Sequence, residues 1–259
     1  IVFLTTSYNQ SVQYIKLYNS LLNKIVQSFK FIVVESGKLN TYIDNENENA
    51  EIIIIKENED SYWSKSIHSG LSYVDSKLNH LTFQLVILNC DVELDEWDIL
   101  NKNHNKLTSF FKVKNNIIKK SGLNITNYYF ALHDYPMLGH KFEDLTHDLY
   151  VNIVATRLII IPAWCVPIIK DIKPKYNLLP HYCADFVFTY HISQRLGMLW
   201  TMSKSGYIIE DESTTGNKNL NVNFSKRIKY LLEIKSTYNI KDRIIYSILI
   251  SKCNYFYVI

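Results

Sequence analysis

The segment FQLVILNCDVELDEW, residues 83–97, holds the feature on which the fold prediction depends. Five of the six residues from Phe83 to Leu88 are apolar, and Asn89, Cys90 and Asp91 follow directly. The apolar run predicts a strand buried inside a sheet. Asn and Asp are common where strands stop, so a simple turn would explain the polar ending. A metal or ligand site at the carboxyl end of a central strand needs the same residues, and the rest of the sequence has to separate the two interpretations.

Strands and helices alternate on the amino-terminal side of this segment. Apolar runs predict three further strands, and two segments with apolar residues at helical spacing predict helices, the first with Ser11 as its N-cap. Up to residue 91 the predicted order is strand, helix, strand, strand, helix, strand. This order predicts an α/β fold with a mainly parallel central sheet flanked by helices, in which ligands bind at the carboxyl ends of the strands. The segments are IVFLTT (1–6), SVQYIKLYNSLLNKIV (11–26), FKFIVVESGK (29–38), EIIIIKE (51–57) and SYWSKSIHSGLSYVDSKL (61–78).

The carboxyl-terminal half of the sequence is less regular. From Ser225 it is basic, with apolar residues at helical spacing. Such a helix has either a solvated charged face or a face that lies on a membrane surface or a partner. We therefore predict an α/β domain of residues 1–224 and a basic amphipathic helical tail of residues 225–259. Between residues 91 and 225 the predicted elements are a helix with a polar loop (97–116), two strands (127–134 and 156–164), a helix that ends at Gly197 (180–197) and two short strands (198–202 and 207–211).

Composition narrows the classes of protein to which the chain can belong. Of its 259 residues 47% are hydrophobic, which suits a globular core, and a net charge of +3 is too small to indicate a nucleic acid partner. No apolar run is long enough for a membrane span, and the opening IVFLTT is predicted to be a strand and not a signal peptide. The cysteines form no CxxC pair, so a zinc cluster or disulfide framework is not indicated and we expect a cytoplasmic setting. They are Cys90, Cys165, Cys183 and Cys253.

Several common catalytic motifs are missing from the sequence. It contains no GxGxxG after the first strand and no GxxxxGK[ST], GxSxG or HExxH. The sequence therefore lacks the motifs that best identify dinucleotide oxidoreductases, P-loop kinases, serine hydrolases of the nucleophile-elbow type and zincins.

Five segments in chain order carry the polar residues that remain. Together they resemble the inverting family 2 glycosyltransferases of the GT-A fold, in particular the bacterial rhamnosyltransferase-like branch, over roughly residues 1–210. In that branch the segments have the forms T-x-N, V-V-D-N/S-G/S, W-x-x-A-x-N-x-G, N-D-D or D-x-D, and P-H-Y-G-A-D-Y-x-F. Here they are TSYN (6–9), VVESG (33–37), WSKSIHSG (63–70), NCD (89–91) and PHYCADFVF (180–188).

The resemblance implies a hexosyltransferase that moves a sugar from a nucleoside diphosphate donor to a glycan or lipid-linked glycan acceptor, as in surface polysaccharide synthesis. It implies Asp185 as general base, a manganese or magnesium ion held by Asp91 and His181, and acceptor contacts from Trp164 and His181. UDP is the favoured nucleotide, with dTDP or GDP as alternatives. The basic tail would place a cytoplasmic enzyme on the inner face of the membrane. The implied donor-binding residues are Thr6, Tyr8, Asn9, Glu35, Trp63, Lys65, Asn89 and Asp91.

The sequence departs from the family pattern at several positions, among them the segment ATRLIIIP (155–162), which lacks the glycine that usually precedes the acceptor-side strand, and each assignment has a structural alternative. Glu35 replaces the usual Asp, Cys90 replaces a carboxylate, and His68 replaces the more common Asn. Asp91 alone is as well explained by a turn, and Asp185 by an acid that opposes a helix dipole. The loss of a carboxylate at residue 90 leaves two alternatives open, which are a relative with weak metal dependence and a non-catalytic nucleotide-sugar- or carbohydrate-binding module that kept the fold.

Overall fold

The structure, a computed structural model, describes residues 1–37, 48–127, 132–209, 231 and 239–251. Most of the tail predicted from Ser225, the middle of the strand predicted at 127–134 and the end of the strand predicted at 207–211 lie outside the described residues. The strands are β1 (Val2–Ser7), β2 (Phe29–Glu35), β3 (Ala50–Lys56), β4 (Leu85–Leu88), β5 (Thr108–Lys114), β6 (Ile117–Lys120), β7 (Asn124–Asn127), β8 (Leu132–Asp134), β9 (Leu149–Val151), β10 (Leu158–Ile161) and β11 (Trp200–Ile209).

Helices flank the sheet on both faces. The segments 11–26 and 61–78 form helices as predicted, although Ser11 is the first helical residue and Gln10 occupies the N-cap. The helix predicted at 180–197 ends at Gly197, whose φ of 63° is the left-handed conformation typical of a helix terminus. The helices are α1 (Ser11–Lys24), α2 (Trp63–Lys77), α3 (Val166–Ile169), α4 (Ala184–Leu196) and α5 (Ile240–Ile250), with short 3-10 turns at Trp97–Asn101 and Phe142–Asp144.

One nine-stranded sheet organises the molecule, in the order β3-β2-β1-β4-β10-β5-β11-β9, with β6 beside β5. Strands β3, β2, β1 and β4 are parallel, β10 is antiparallel to both of its neighbours β4 and β5, and β5 and β11 are parallel. The predicted α/β class with a mainly parallel central sheet is therefore confirmed. The carboxyl ends of β1, β2, β4 and β5 and the amino end of β10 meet at one edge, which we call the carboxyl edge.

Apolar side chains are buried on both faces of the sheet, which is why its central strands are almost continuously hydrophobic. Along β1, Phe3 contributes to a cluster with α1, whereas Leu4 contributes to a cluster with α2 and α4. Successive side chains of a strand point to opposite faces, so one short strand supplies both cores. Tyr18 of α1 stacks on Phe31 of β2, with ring centroids 5.7 Å apart.

Two predictions for the later segments are wrong. Residues 97–116 form only a short 3-10 turn before they enter β5, because the run from Thr108 to Val113 is buried on both faces. The two late strands form a single strand, β11, whose pairing register with β5 shifts between Ser203 and Tyr207. The irregularity interrupts the apolar pattern without ending the strand.

Helix α5 packs against the rest of the protein. Tyr246 and Ile250 are buried in a cluster with Val187 and Tyr190 of α4, and Asn239 caps the helix by accepting a hydrogen bond of 3.1 Å from the backbone of Asp242. The division of the chain at residue 224 stays a prediction. In the part of the chain that the structure describes, no helix is long and apolar enough to cross a membrane.

Candidate functional site

A buried carboxylate joins the loops that follow β1 and β2. Glu35 is fully buried; its Oε2 accepts a hydrogen bond of 2.6 Å from the Ser7 hydroxyl. Its Oε1 accepts bonds from the backbone N–H groups of Asn9 (3.2 Å) and Gly37 (2.6 Å). Ionised acceptors form the stronger class of hydrogen bond, so this side chain fixes the position of both loops. Its predicted contact with a nucleoside stays a prediction, since the contacts described here are with the protein.

The two loops approach each other too closely for a side chain at residue 37. A Cβ atom on Gly37 would lie 2.3 Å from Asn9 Oδ1 and 2.5 Å from the Asn9 backbone nitrogen. Asn9 itself has a φ of 54°, a left-handed conformation that Asn tolerates better than most residues. Beside it, Tyr8 is 45% exposed, whereas Thr6 is half-buried in β1. The exposed Tyr8 ring is suited to stacking on a flat ligand at this edge.

The start of α2 connects this corner to segment 180–188, which holds the motif PHYCADFVF. Ser66 and Ser36 share a hydrogen bond of 2.8 Å between their hydroxyl groups, and the backbone N–H of Ser64 donates to the carbonyl of Pro180 at 3.2 Å. Trp63 is half-buried and packs against two apolar clusters. Lys65, the predicted phosphate contact, lies 3.5 Å from a carboxylate oxygen of Glu57.

The segment NCD leaves β4 at the centre of the carboxyl edge. The backbone N–H of Asn89 donates to the carbonyl of Arg157 at 3.0 Å, and the Cys90 thiol donates to Gln10 Oε1 at 3.0 Å. Burial, followed by the neighbouring charge of Asp91, raises the pKa of the Cys90 thiol to about 12, so it stays protonated near neutrality. Asp91 is half exposed, and its Oδ2 lies 3.2 Å from Arg157 Nη2.

Asp185 lies in the first turn of α4; the residue is half-buried, and its carboxyl group points away from solvent. Burial raises the pKa of this carboxyl to about 6, although backbone N–H groups, including that of Thr156, and the charge of Lys120 favour its ionised form. Two residues earlier, Cys183 has a φ of 61°, which L-residues rarely adopt. The family motif has glycine at this position, and the left-handed backbone supplies the physical reason.

One continuous series of contacts runs along the carboxyl edge. Arg157 donates to Asp91, and the backbone of its chain neighbour Thr156 is close enough to Asp185 to favour the ionised form of that carboxyl. The complete series is Gly37, Glu35, Ser7 and Asn9, then Gln10, Cys90 and Asp91, then Arg157, Thr156 and Asp185. The ends of β1, β2 and β4, the start of β10 and the start of α4 therefore form one polar surface.

The structure places the two residues predicted on the acceptor side, Trp164 and His181, in different parts of the molecule. Trp164 follows the carboxyl end of β10, which is antiparallel to β4, so the structure puts it beyond the opposite edge of the sheet and not at the site. His181 remains near the start of α4, with its ring centroid 6.1 Å from that of Tyr62 and 4.7 Å from that of Tyr182.

Sequence reasoning missed Arg157, which contacts Asp91, and Gln10, which contacts Cys90. Arg157 lies near the start of the strand predicted at 156–164, and Gln10 lies between the first predicted strand and the helix predicted at 11–26. Arg157 could have been identified only from its position at the start of the strand that pairs with β4. The sequence does not show which strand pairs with β4, because that pairing depends on the topology of the sheet.

The donor set at this edge fits the metal implied by the resemblance poorly. Among the described residues, no group of three or more His, Cys, Asp or Glu side chains could hold a metal ion. Asp91 is the one carboxylate of the NCD segment and is paired with a guanidinium, and the neighbouring Cys90 thiol is protonated. Magnesium and manganese prefer oxygen ligands, and a thiol is not among them.

No protein-family model and no curated protein matches the sequence. Among solved structures, the chain is similar to that of S. aureus TarS, with a TM-score of 0.47 and 11% identity over 82% of this chain and 35% of that chain. TarS 1–349 gives a TM-score of 0.45 and 11% identity over 80% and 59% of the two chains, and its complex with UDP-GlcNAc gives 0.48 and 12% over 82% and 59%. This chain therefore spans 35% to 59% of the length of the structures to which it is similar. The functional assignment depends on the side chains at the carboxyl edge.

Proposed function

We propose that this protein is an inverting glycosyltransferase that uses a nucleoside diphosphate sugar and an acceptor hydroxyl. The observation that carries the proposal is the series of hydrogen bonds and chain neighbours from Gly37 to Asp185, which joins four of the five sequence segments that resemble family 2 glycosyltransferases. The fifth segment, WSKSIHSG, is linked to it by the hydrogen bonds between Ser66 and Ser36 and from Ser64 to Pro180. A strand-end turn at Asp91 would need no Arg157 partner and no link to Asp185. The common location of these segments at the carboxyl edge therefore favours a binding site over unrelated turns.

Residues at different positions along the carboxyl edge would have different roles in the reaction. The loops after β1 and β2, with Tyr8 exposed, would hold the nucleoside, and the Asn89–Asp91 region with Arg157 would face the diphosphate. Asp185 would accept the proton of the acceptor hydroxyl as its oxygen forms the new bond to the anomeric carbon. The bond from that carbon to the diphosphate breaks in the same step, and attack from the opposite side inverts the configuration.

The pKa of Asp185 suits this role. A general base works best when its pKa lies near the working pH, and a value of about 6 leaves it largely ionised at neutrality. The carboxylate is then more basic than an ordinary Asp and still available to accept a proton.

The resemblance also implies a bound divalent metal, with Asp91 and His181 as ligands, which would stabilise the negative charge of the leaving diphosphate. Because the donor set fits poorly, we assign no step to a metal. Several implications of the resemblance stay predictions. They are the rhamnosyltransferase-like branch, the transfer of a hexose, the glycan or lipid-linked acceptor, UDP as the nucleotide, and a cytoplasmic location with membrane contact through the tail.

Calorimetric titration of UDP, dTDP and GDP, with manganese and without it, tests the donor site. We expect one nucleotide to bind preferentially and Tyr8→Ala to weaken its binding by at least about fivefold, since a stacked ring contributes on the order of 1 kcal/mol. Tyr150→Ala is the matched control, because Tyr150 is similarly exposed (52%) and lies on β9 at the far end of the sheet. Equal affinity in the two variants would contradict the assigned position of the nucleoside.

A non-catalytic nucleotide-sugar- or carbohydrate-binding module is the second candidate. The observation that favours it is Cys90 in place of a carboxylate, beside an Asp91 that already has a partner in Arg157. Such a module would bind donor with unchanged affinity in Asp185→Asn and would release no UDP from UDP-sugars in either protein. Release that depends on Asp185 would select the enzyme.

A further inference from the structure

An apolar groove opens at the edge of the sheet opposite to the carboxyl edge. It holds about 620 Å³ of empty space, counted to its open mouth, and lies between α2, α3 and the ends of β4 and β10. Leu85, the first residue of β4, pairs with Ile161, the last residue of β10, and both line the groove. Because β10 is antiparallel to β4, these two residues lie at the other ends of their strands from Asn89 and Arg157. The groove is therefore separate from the site assigned to sugar transfer.

The groove extends into the main hydrophobic core. The side chains of its inner wall are at most 8% exposed and belong to the core cluster of the sheet with α2 and α4. Apolar side chains that face an empty space lack the dispersion contacts that a filled interior provides. Such a space stays dry and takes up hydrocarbon molecules, because water finds no hydrogen-bond partner there. The residues of the inner wall are Leu71, Val74, Leu85, Ile161, Ile169 and Phe188.

The mouth of the groove is also largely apolar. Leu81, which lines it, is 45% exposed, and two other lining residues, Phe83 and Ile172, are only half-buried. A hydrocarbon chain that runs from the core to the surface through this mouth would remove these side chains from water as well. The apolar lining thus continues from core to solvent, which suits a chain of several methylene groups.

The charged side chains of the groove favour an anionic head group. One carboxylate and one ammonium group line it, those of Asp75 and Lys170. Asp75 Oδ2 lies 3.7 Å from Lys173 Nζ, so a cation outside the lining already offsets its charge, whereas Lys170 is exposed. Asn79 adds an amide donor to the lining, and the exposed Asp171 is not part of it. Two ammonium groups against one carboxylate leave the mouth positive, which is complementary to an anion.

We propose that this groove binds an amphiphile with one hydrocarbon chain and an anionic head group, with the chain against the inner wall and the head beside Lys170. The inference goes beyond the proposed function, because the groove lies at the opposite edge of the sheet from the residues assigned to that reaction. A flat membrane surface would cover exposed residues such as Leu81 and Ile168 but would leave the space in front of Leu85 and Phe188 empty. The depth of the groove therefore favours a single chain.

Calorimetric titration of octanoate, decanoate and dodecanoate, below their micelle-forming concentrations, tests the chain site. Each buried methylene group contributes roughly a factor of four to affinity, so we expect binding to tighten by at least about tenfold for every two methylene groups added. Decylamine has the opposite head charge and should bind more weakly than decanoate. Equal affinity of the three carboxylates, or of decanoate and decylamine, overturns the proposal, as does a wild-type protein that binds none of these probes.

Leu81→Asp tests the location of the site, with Leu178→Asp as the matched control. Both leucines are 45% exposed, and only Leu81 lines the groove. We expect Leu81→Asp to weaken decanoate binding by at least about tenfold, because it removes an apolar contact and adds a charge like that of the head group, and Leu178→Asp by less than about twofold. Circular dichroism shows that each variant is folded. Equal decanoate affinity in the two variants overturns the proposal.

Lys170→Gln tests the head-group contact, with Lys175→Gln as its control. Both lysines are exposed in the loop after α3, and only Lys170 lines the groove. We expect Lys170→Gln to weaken decanoate binding by about threefold and to reduce the preference for decanoate over decylamine, since an exposed ion pair contributes little more than this. An unchanged preference in Lys170→Gln would remove the assigned head-group position.

Two further measurements identify a different occupant if the proposal is wrong. Co-sedimentation with vesicles of equal parts phosphatidylglycerol and phosphatidylcholine that requires Leu81, in a protein without affinity for free decanoate, would make this face a membrane surface. Light scattering that shows a dimer in the wild type and a monomer in Leu81→Asp, again without decanoate binding, would make it an interface between two copies of the chain. Either result overturns the single-chain site.

Discussion

Replacement of Asp185 by Asn should lower activity and, at neutral and higher pH, raise stability. An amide cannot accept the proton of the acceptor hydroxyl, so we expect transfer to fall by a factor of about 10²–10⁴. The same change removes a carboxylate whose ionised form is disfavoured in the fold, because burial raises its pKa from 3.8 to about 6. The two effects have opposite signs, and a residue that merely stabilises a helix terminus would not produce both.

The magnitude of the stability effect follows from the pKa difference. A raised pKa means that the folded protein holds the proton more tightly than the unfolded chain, so the contribution of Asp185 is most favourable below the unfolded value of 3.8 and is lost as the pH rises through about 6. The difference between a pKa of 3.8 in the unfolded chain and about 6 in the folded protein corresponds to about 3 kcal/mol. Relative to Asp185→Asn, the wild-type free energy of unfolding should therefore decline by up to about 3 kcal/mol between about pH 4 and pH 8.

Urea unfolding of both proteins across this pH range measures the change. The pH dependence of the difference is the decisive quantity, since any hydrogen bond that Asn makes or loses adds an offset that is largely constant with pH. Asp60→Asn, which removes an exposed carboxylate, is the control for general charge effects. A wild-type protein that gains stability relative to Asp185→Asn as the pH rises would refute the reasoning, because that is the behaviour of an acid stabilised by the helix dipole.

Three further predictions follow from the same contacts. The pH profile of kcat/KM should rise about tenfold per pH unit below about 6 and level off above it, as measured by donor turnover, because the proposed base, Asp185, has a pKa of about 6. Glu35→Ala should lower the free energy of unfolding by about 3 kcal/mol or more, since three donors lose a buried acceptor, and exposed Glu59→Ala should change it by less than about 0.5 kcal/mol in the same urea titration. Cys183→Gly should be more stable than Cys183→Ala by about 1 kcal/mol in thermal unfolding. Both variants lack the thiol, and only glycine adopts a φ of 61° without strain. Equal stability of the two variants would show that the backbone at residue 183 is not strained.

The sequence predicted the amino-terminal half of the fold because its strands and helices have distinct periods. The helix beginning at Trp63 was placed correctly from its apolar spacing, and the strand from Leu85 to Leu88 from its unbroken apolar run. The strand β5 was not predicted, because a lysine in the middle of TSFFKVK and the polar residues before it concealed a fully buried strand. Burial of Lys112 depends on neighbours that are distant in the sequence.

The site was only partly accessible to sequence reasoning for a topological reason. The order of the motifs in the sequence identified Glu35, Asp91 and Asp185 as site candidates, and the structure places all three along the carboxyl edge. The place of Arg157 beside Asp91 depends on the antiparallel insertion of β10 next to β4. The same insertion carries Trp164 to the opposite edge, so one strand direction explains both the residue that was missed and the one that was misplaced.

The replacement of a carboxylate by Cys90 is consistent with the charges around it. The position is 5% exposed, and Asp91 already raises the pKa of the thiol, so a carboxylate at residue 90 would be buried next to a second one. Such a pair is tolerable when a divalent cation lies between the acids and unfavourable without it. A neutral thiol that donates to Gln10 avoids this repulsion and leaves Asp91 to pair with Arg157. Under the proposed function, Arg157 would then supply positive charge for a departing diphosphate, because a guanidinium can bind phosphate without any further acidic ligand.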